Sequence, residues 1–299
     1  MTLDILPPTS LLISSRDRPE LLRETVVSVL AGQELPAEIV IVDQSAAQND
    51  ALAAMPAVRG CAIRYIWSRS AGLSRSRNLA VAAARHAILA FADDDMFAAP
   101  GWYGALIRAL IAAGPRAAVT GRVLAAPMER PGGYVPSLVV SDTPAAYRGR
   151  LGCDVLAAGN MALYRAALDE VRGFDERLGA GSRFPAAEDN DLGFRLLEAG
   201  YCIRYVPEAV LYHRAWRPSG AFLPLRWRYG RGQGAFYGKH LRLRDTHMAG
   251  RLHHDVMRHV VQGVRRAGRL QREAAGDAVF VLGLLAGAIE WTWNQRRTA

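Results

Sequence analysis

A chain of 299 residues with 51% hydrophobic and 22% charged side chains can bury a sizeable core. That excludes a disordered or fibrous protein and leaves one large α/β domain with an appendage, or two small domains. The formal net charge of +9 is concentrated from Arg214 onward, a block able to meet nucleic acid, an anionic bilayer or a phosphorylated substrate.

No zinc-finger spacing, helix-turn-helix or RNA-binding sheet signature accompanies this block, so no nucleic-acid partner is expected. Cys61, Cys153 and Cys202 are far apart, odd in number and without metal-ligand spacing, which implies reduced thiols and a cytoplasmic protein. The first nine residues hold an acid and two prolines rather than the charged-then-apolar pattern of a secretory leader.

In chain order, Ser10 to Ser14 forms a short apolar strand. Pro19 suits the first turn of a helix, which Leu21, Leu22, Val26, Val29 and Leu30 continue until Gly32. Glu38 to Asp43 is a β-branched strand ending in an acid. A third strand, Ala62 to Trp67, leads through Ser70 to Asn78 into an alanine-rich helix that closes near Arg85. The fourth strand begins at Ile88 and ends in Asp93, Asp94 and Asp95. Such alternation predicts an α/β fold with a mostly parallel, Rossmann-like central sheet, whose functional edge lies at the carboxyl ends of the strands. That edge would gather the loop from Ser14 through Arg16, Asp43, Arg75, Arg77 and the aspartate triplet.

Three adjacent carboxylates repel one another unless they share a cation or a set of donors. A hard divalent ion carrying phosphates would relieve the repulsion; an acidic turn or a helix cap is the plainer alternative. Neither a dinucleotide glycine fingerprint nor a Walker A sequence is present, so a metal would be the main phosphate anchor.

Further on, a helix is expected from Trp102 to Ala113 and a strand from Ala117 to Arg122. The Pro- and Gly-rich segment from Ala125 to Gly152 reads as a loop over the acceptor side. Regular structure resumes at Ala157 to Tyr164. Glu188, Asp189, Asn190 and Asp191 open an amphipathic helix with Leu192, Leu196 and Leu197 on its core face, so that for Asp189 capping and catalysis stand level on local sequence. Ala209 to His213 is a strand ending in a histidine, more often a packed residue than a ligand. Leu225 to His240 interleaves arginines, aromatics and glycines. It reads as an arm closing over a diphosphate or a surface for anionic head groups, with a solvated basic face the plainest alternative for most of its arginines. The tail from His253 to Arg297 is expected to be helical. Its apolar run, Ala278 to Ile289, is too short to span a bilayer, so an interfacial or docked helix is expected.

Taken in order, Ser14-Ser-Arg-Asp-Arg-Pro19, Ile41-Val-Asp43, Gly72-Leu-Ser-Arg-Ser-Arg-Asn78 and Phe91-Ala-Asp-Asp-Asp95 resemble the nucleotide-sugar half of the inverting family 2 glycosyltransferases, which have the GT-A fold. The resemblance implies that Asp43 contacts the nucleobase, that Ser14, Arg16, Arg77, Asp93 and Asp94 line the donor site, and that Asp95 with Asp93 holds Mg²⁺ or Mn²⁺. Glu188 to Leu192 with Arg195 is similar to the family's acidic acceptor-side motif, implying Asp189 as general base, with Glu188 beside it in the catalytic pair and Glu188 and Asp191 orienting the acceptor or capping the helix. His213 stands where several GT-A enzymes have a histidine that completes the metal shell. Asp17 replaces a common asparagine and Gln44 a usual second acid, departures that bear on base and sugar rather than on fold.

The resemblance covers roughly residues 9–215. It implies metal-dependent inverting transfer of a hexose-like sugar from a nucleoside-diphosphate sugar, a UDP-sugar first, to a hydroxyl of a saccharide or lipid-linked acceptor in polysaccharide or glycolipid synthesis. Residues 1–215 would be the catalytic domain, with a donor half 1–122 and an acceptor half 123–215. Residues 216–299 would be a basic, mainly helical extension making peripheral contact with the inner face of the membrane. A sugar nucleotidyltransferase is disfavoured by the lack of a glycine-rich N-terminal phosphate loop, and a non-catalytic nucleotide-sugar or membrane-surface binding protein would lack a base.

Overall fold

The computed structural model describes residues 6–241 and 245–298, the last four through their backbone alone. Arg242 and Arg244, counted in the basic block, lie outside the described residues, as do the side chains of Arg296 and Arg297.

Four strands build the first half: β1 (Thr9–Ser15), β2 (Glu38–Asp43), β3 (Ala62–Trp67) and β4 (Ile88–Asp93). They pair in parallel in the order β3-β2-β1-β4. Because β2 and β4 leave β1 on opposite sides, the strand order reverses at β1, and a crevice opens at the carboxyl ends there. The registers Ser15↔Asp43 and Ser14↔Asp93 bring those ends level. The helix α1 (Pro19–Leu30) begins on its proline and buries Leu22, Val26 and Val29. A short α2 (Asp50–Ala53) precedes β3, and α3 (Leu73–Ala83) follows it.

The second half adds strands of both senses. After β4 the chain forms β5 (Met96–Ala98), α4 (Trp102–Ala113), β6 (Ala117–Ala125), β7 (Ala145–Tyr147), β8 (Asn160–Tyr164), α5 (Arg165–Glu170), α6 (Glu188–Glu198) and β9 (Cys202–His213). Here β8 is antiparallel to both β4 and β6, β9 is parallel to β6, and β5 and β7 are antiparallel to β9. The sheet is therefore parallel on its donor side and mixed beyond. The irregular stretch after β6 carries no helical crossover, so the chain re-enters the sheet in the opposite sense. The three-residue β5 is too short to show a period, yet it pairs Met96 with His213 and so seats the histidine beside the aspartates.

Three helices follow: α7 (Phe222–His240), α8 (Thr246–Arg266) and α9 (Gln271–Thr298). The segment Leu225 to His240, for which an arm or a surface for anionic head groups was the expectation, is the helix α7. Gly230, Gly234 and Gly238 recur every four residues along it and face α9, where Gly283 and Gly287 lie opposite. A Cβ at Gly238 would come within 2.9 Å of Trp291 Cβ, and one at Gly283 within 2.6 Å of the Trp227 carbonyl. These glycines let two helix backbones touch, a use for which the same spacing serves equally well.

Asp277, buried between the helices, accepts from Arg226, His259 and Arg266 at 3.2, 2.8 and 2.9 Å. The bundle joins the sheet domain through a core of Ala187, Phe194, Phe236, Tyr237, Met248, Phe280 and Leu284. Within α9 the stretch Gln271–Asn294 is 24 residues long and, by length and composition, apolar enough to cross a membrane, longer than Ala278 to Ile289 implied. It is docked on α7 and α8, while Leu282, Leu285, Ile289 and Trp293 stay exposed.

Candidate active site

One cavity of about 610 Å³ opens at the carboxyl ends of β1 and β4 and runs to α6 and the C-terminal helices. Its walls carry Ser14, Arg16, Arg77, Asp93, Asp94, Asp95, Glu188, Asp189 and His213, so most of the expected site residues meet in one place.

The end of the cavity at β1 and β4 is organised by cations. Asp93 accepts from Arg77 Nη2 at 2.8 Å, and the other side of the same guanidinium reaches Glu188 Oε1 at 3.3 Å. Arg77 projects from the first turns of α3, whose entry depends on Gly72 at φ 121°. Gly159 is also required, because a Cβ there would collide with the Asp93 carboxylate. Asp94 accepts from Ser15 Oγ at 2.7 Å and Arg18 Nη1 at 3.1 Å, and Arg18 also reaches Asp95 Oδ2 at 2.7 Å. Burial and the neighbouring Asp95 push the Asp94 carboxyl up to about 7, against Arg18 and Ser15. For Asp95 burial acts in the same direction, but the hydrogen bond and charge of His213, with Arg18, outweigh it and hold the carboxyl below its usual range.

Among the described residues no three His, Cys, Asp or Glu side chains form a ready-made metal cage. What exists is a pair: His213 Nε2 stands 3.3 Å from Asp95 Oδ1, while His213 Nδ1 is 3.1 Å from the Pro136 carbonyl. Nε2–H donates to the Asp95 carboxylate in this pair, and on losing that proton the nitrogen and the carboxylate oxygen would be two ligand atoms whose separation, near 3 Å, is what neighbouring ligands of a small octahedral ion keep. A two-ligand set fits a divalent ion that completes its shell with water and substrate phosphates. Asp93, expected to share the metal, is turned to Arg77 instead. Two buried donors on the cavity wall, Gln44 Nε2 and Arg217 Nε, have no hydrogen-bond partner among the described residues, as expected of a wall shaped for a polar ligand.

At the other end, Asp189 lies in the first turn of α6. Its carboxylate accepts from the backbone N–H of Asn190 at 2.9 Å and, among the described residues, forms no side-chain hydrogen bond. Burial, then Glu188, push it up to about 7; Arg77 opposes them and Asp154 adds to the rise. A carboxylate held near neutrality in a cleft is tuned to accept a proton.

Three expected residues lie elsewhere. Asp191 is fully buried beneath the motif, where Lys239, His240 and Arg195 surround it, so it cannot orient an acceptor. Burial works against its ionisation, but those three partners hold its carboxyl down to about 2. Asp43 closes the end of β2, accepting from Tyr65 Oη at 2.7 Å and Ser45 N at 2.9 Å, and its neighbour Gln44 forms the cavity wall. Arg75 points away from the acids to Glu176 at 2.9 Å.

A family model described as Glycosyl transferase family 2 matches residues 10–172, more than half of the chain. The chain belongs to glycosyl transferase family 2. No curated protein matches it by sequence. Among solved structures, this family 2 member is similar to the mannosyltransferase PcManGT from Pyrobaculum calidifontis in complex with GDP-Man and Mn²⁺, with 14% identity over 98% of this chain and 89% of that one and a TM-score of 0.63. It is also similar to S. aureus TarS 1–349 in complex with UDP-GlcNAc, with 14% identity, 97% and 85% covered and a TM-score of 0.59. GalNAc-T7 with UDP, GalNAc and Mn²⁺ gives 17% identity and a TM-score of 0.58 over 79% of this chain, which spans 50% of that protein. These likenesses are of fold, and the fold is GT-A.

The sequence pattern of this family 2 member did not assign Arg18, Arg217, Tyr229 or Gln233 to the site, all on the cavity wall beside Gln44, which stood out as a departure from the family pattern. For Arg18 a signal existed, since three crowded acids require a cation close by. Gln233 and Tyr229 belong to the segment Leu225 to His240, which the sequence does not mark as a helix, so its facing could not be assigned.

Proposed function

We propose that the protein is a metal-dependent inverting glycosyltransferase that moves a sugar from a nucleoside-diphosphate sugar to a hydroxyl of a saccharide or lipid-linked acceptor. The observation that carries this reading is the division of one cavity into a cation-organised carboxylate cluster at one end and a lone, near-neutral Asp189 at the other. Mn²⁺ in two of the similar structures, and nucleotides or nucleotide sugars in all three, support the donor class and the ion.

Asp95 and His213 would hold Mg²⁺ or Mn²⁺, and the bound ion would stabilise charge on a departing diphosphate. The donor would lie across the ends of β1 and β4, with Gln44, Arg18 and Arg217 offering hydrogen bonds. Asp189 would take the proton of the acceptor hydroxyl as its oxygen attacks the anomeric carbon from the face opposite the diphosphate. A peripheral position on the inner face of the membrane, through the exposed apolar side of α9, would bring a lipid-linked acceptor within reach.

The test incubates full-length protein with UDP- and GDP-sugars, Mn²⁺ and candidate acceptors, following nucleotide release and product. Asp189→Asn should lower turnover by roughly 10²–10⁴-fold while nucleotide binding persists. Equal transfer by wild type and Asp189→Asn would remove the base, and release of pyrophosphate instead of a nucleoside diphosphate would indicate nucleotidyl transfer.

A further inference from the structure

The residues on either side of Asp189 are gripped by α7. Asn190 Nδ2 donates to Gln233 Oε1 at 2.7 Å, and Gln233 Nε2 donates onward to Asp154 Oδ2 at 3.1 Å. Asp191 Oδ1 accepts from Lys239 Nζ and His240 Nε2, both at 2.7 Å, with the His240 ring 4.6 Å from Phe194 and 5.1 Å from Phe236. Lys239 also reaches Asp175 at 2.8 Å, tying in the loop before α6. The third contact is backbone on backbone: a Cβ at Gly232 would stand 2.6 Å from the Ala186 carbonyl. Between these contacts Ala187 adopts φ 70°, a left-handed conformation that a residue with a Cβ holds only when its surroundings impose it.

All three contacts surround Asp189 and none engages its carboxylate. We infer that α7 is the positioning element of the base: Gln233, Lys239 and His240 fix the first turn of α6 so that Asp189 stands at one place in the cleft, with none of these three side chains on its carboxylate. This rests on the reading of Asp189 as the base. Transfer to an oxygen nucleophile depends steeply on the distance between base and hydroxyl, so loosening α7 lowers turnover without touching the donor. The C-terminal helices are then part of the catalytic machinery, coupled to it through buried polar contacts rather than appended to a complete enzyme.

The test uses the full chain and whichever UDP- or GDP-sugar gives the fastest Mn²⁺-dependent nucleotide release, with the free nucleotide and Mn²⁺ as the binding probe. Gln233→Met keeps bulk but loses the amide, and His240→Ala loses the donor to Asp191. Each is expected to lower kcat about ten- to a hundredfold, with nucleotide Kd within about twofold of wild type. His240→Gln, whose side-chain amide can still donate to Asp191, is expected to recover most of the kcat lost in His240→Ala. Wild-type kcat in Gln233→Met and His240→Ala, alongside an inactive Asp189→Asn, would overturn the positioning role and leave the base intact. Failure of His240→Gln to exceed His240→Ala would overturn the hydrogen bond as its cause. Unimpaired turnover by Asp189→Asn would remove the base reading itself, and this inference with it.

Discussion

The two acidic clusters of the cleft are compensated from opposite parts of the chain. Asp93, Asp94 and Asp95 are paired with Arg77 and Arg18 from the same parallel half-sheet, while His213 and the charge of Arg217 come from further on. By contrast, Asn190 and Asp191 are held by Gln233, Lys239 and His240 on α7, and Glu188 turns back to Arg77. The aspartate triplet is compensated largely within its half of the fold. The cluster on α6 depends on the C-terminal helices, and among the described residues the pairing of its neighbours leaves Asp189 without a side-chain hydrogen bond. Crowding acids is therefore a way of selecting one of them: each partner that neutralises a neighbour sharpens the difference between it and the residue left alone.

The comparison can be broken most decisively at Asp191. Asp191→Ala removes the buried carboxylate that Lys239, His240 and Arg195 share, leaving Lys239 on Asp175 and Arg195 on the Val171 carbonyl, and should destabilise the protein by about 3–5 kcal/mol in urea unfolding. Asp93→Ala leaves Arg77 still paired with Glu188 and should cost less; equal losses would mean that both clusters depend alike on the rest of the fold.

Next in size is pH. Asp189 is raised to about 7 by burial and Glu188 on its own helix, with Asp154 adding to the rise and Arg77 from α3 opposing it. Below its folded-state value the carboxyl is protonated and cannot accept a proton, so kcat/KM should rise about tenfold per unit up to roughly pH 7 and then level. A profile flat from pH 5.5 to 8 would contradict this. The stability sign is opposite for the two aspartates. Asp191, depressed to about 2, stabilises the fold above its unfolded value and loses that contribution as pH falls through 2. Asp189, raised, binds its proton more tightly when folded, so its contribution weakens as pH rises toward 7.

A smaller effect is expected at the seam that carries α7. Gly234→Ala drives a methyl into the Leu284 carbonyl of α9 and should cost about 1–3 kcal/mol in thermal or urea unfolding, whereas a wild-type midpoint would deny the close helix contact. The smallest belongs to Arg75→Ala, which removes a half-exposed pair with Glu176 and should change stability by less than about 1 kcal/mol. A large loss of nucleotide affinity in that variant would return Arg75 to the donor site.

Residues with strong local signals were placed correctly by pattern alone. The strands β1 to β4 are short, β-branched or apolar and punctuated by Pro, Gly and acids, so their alternation with helices could be read directly. Once a parallel sheet is granted, its carboxyl edge follows. The triplet and the Glu188 to Asp191 motif were visible as charge that needs compensation. Less legible were β5 and β7, at three residues each, and the antiparallel insertion of β8, because strand partners are chosen by long-range packing. The segment Leu225 to His240 misled for a related reason. Glycines spaced four apart signal either a loop or a helix that must touch another helix, and only the presence of α9 distinguishes the two.

By itself, then, the amino-acid sequence determined the α/β character, the four parallel strands and the two acidic clusters, since period, punctuation and like-charge crowding act over a few residues. Tertiary structure alone decided which partner compensates each carboxylate of the two clusters. It joined Asp95 to His213, committed Asp93 and Glu188 to Arg77, and buried Asp191 against α7. The reason is that a carboxylate's chemistry depends on the charges and dielectric within a few ångströms, and in this fold those are supplied by residues up to about 120 positions away.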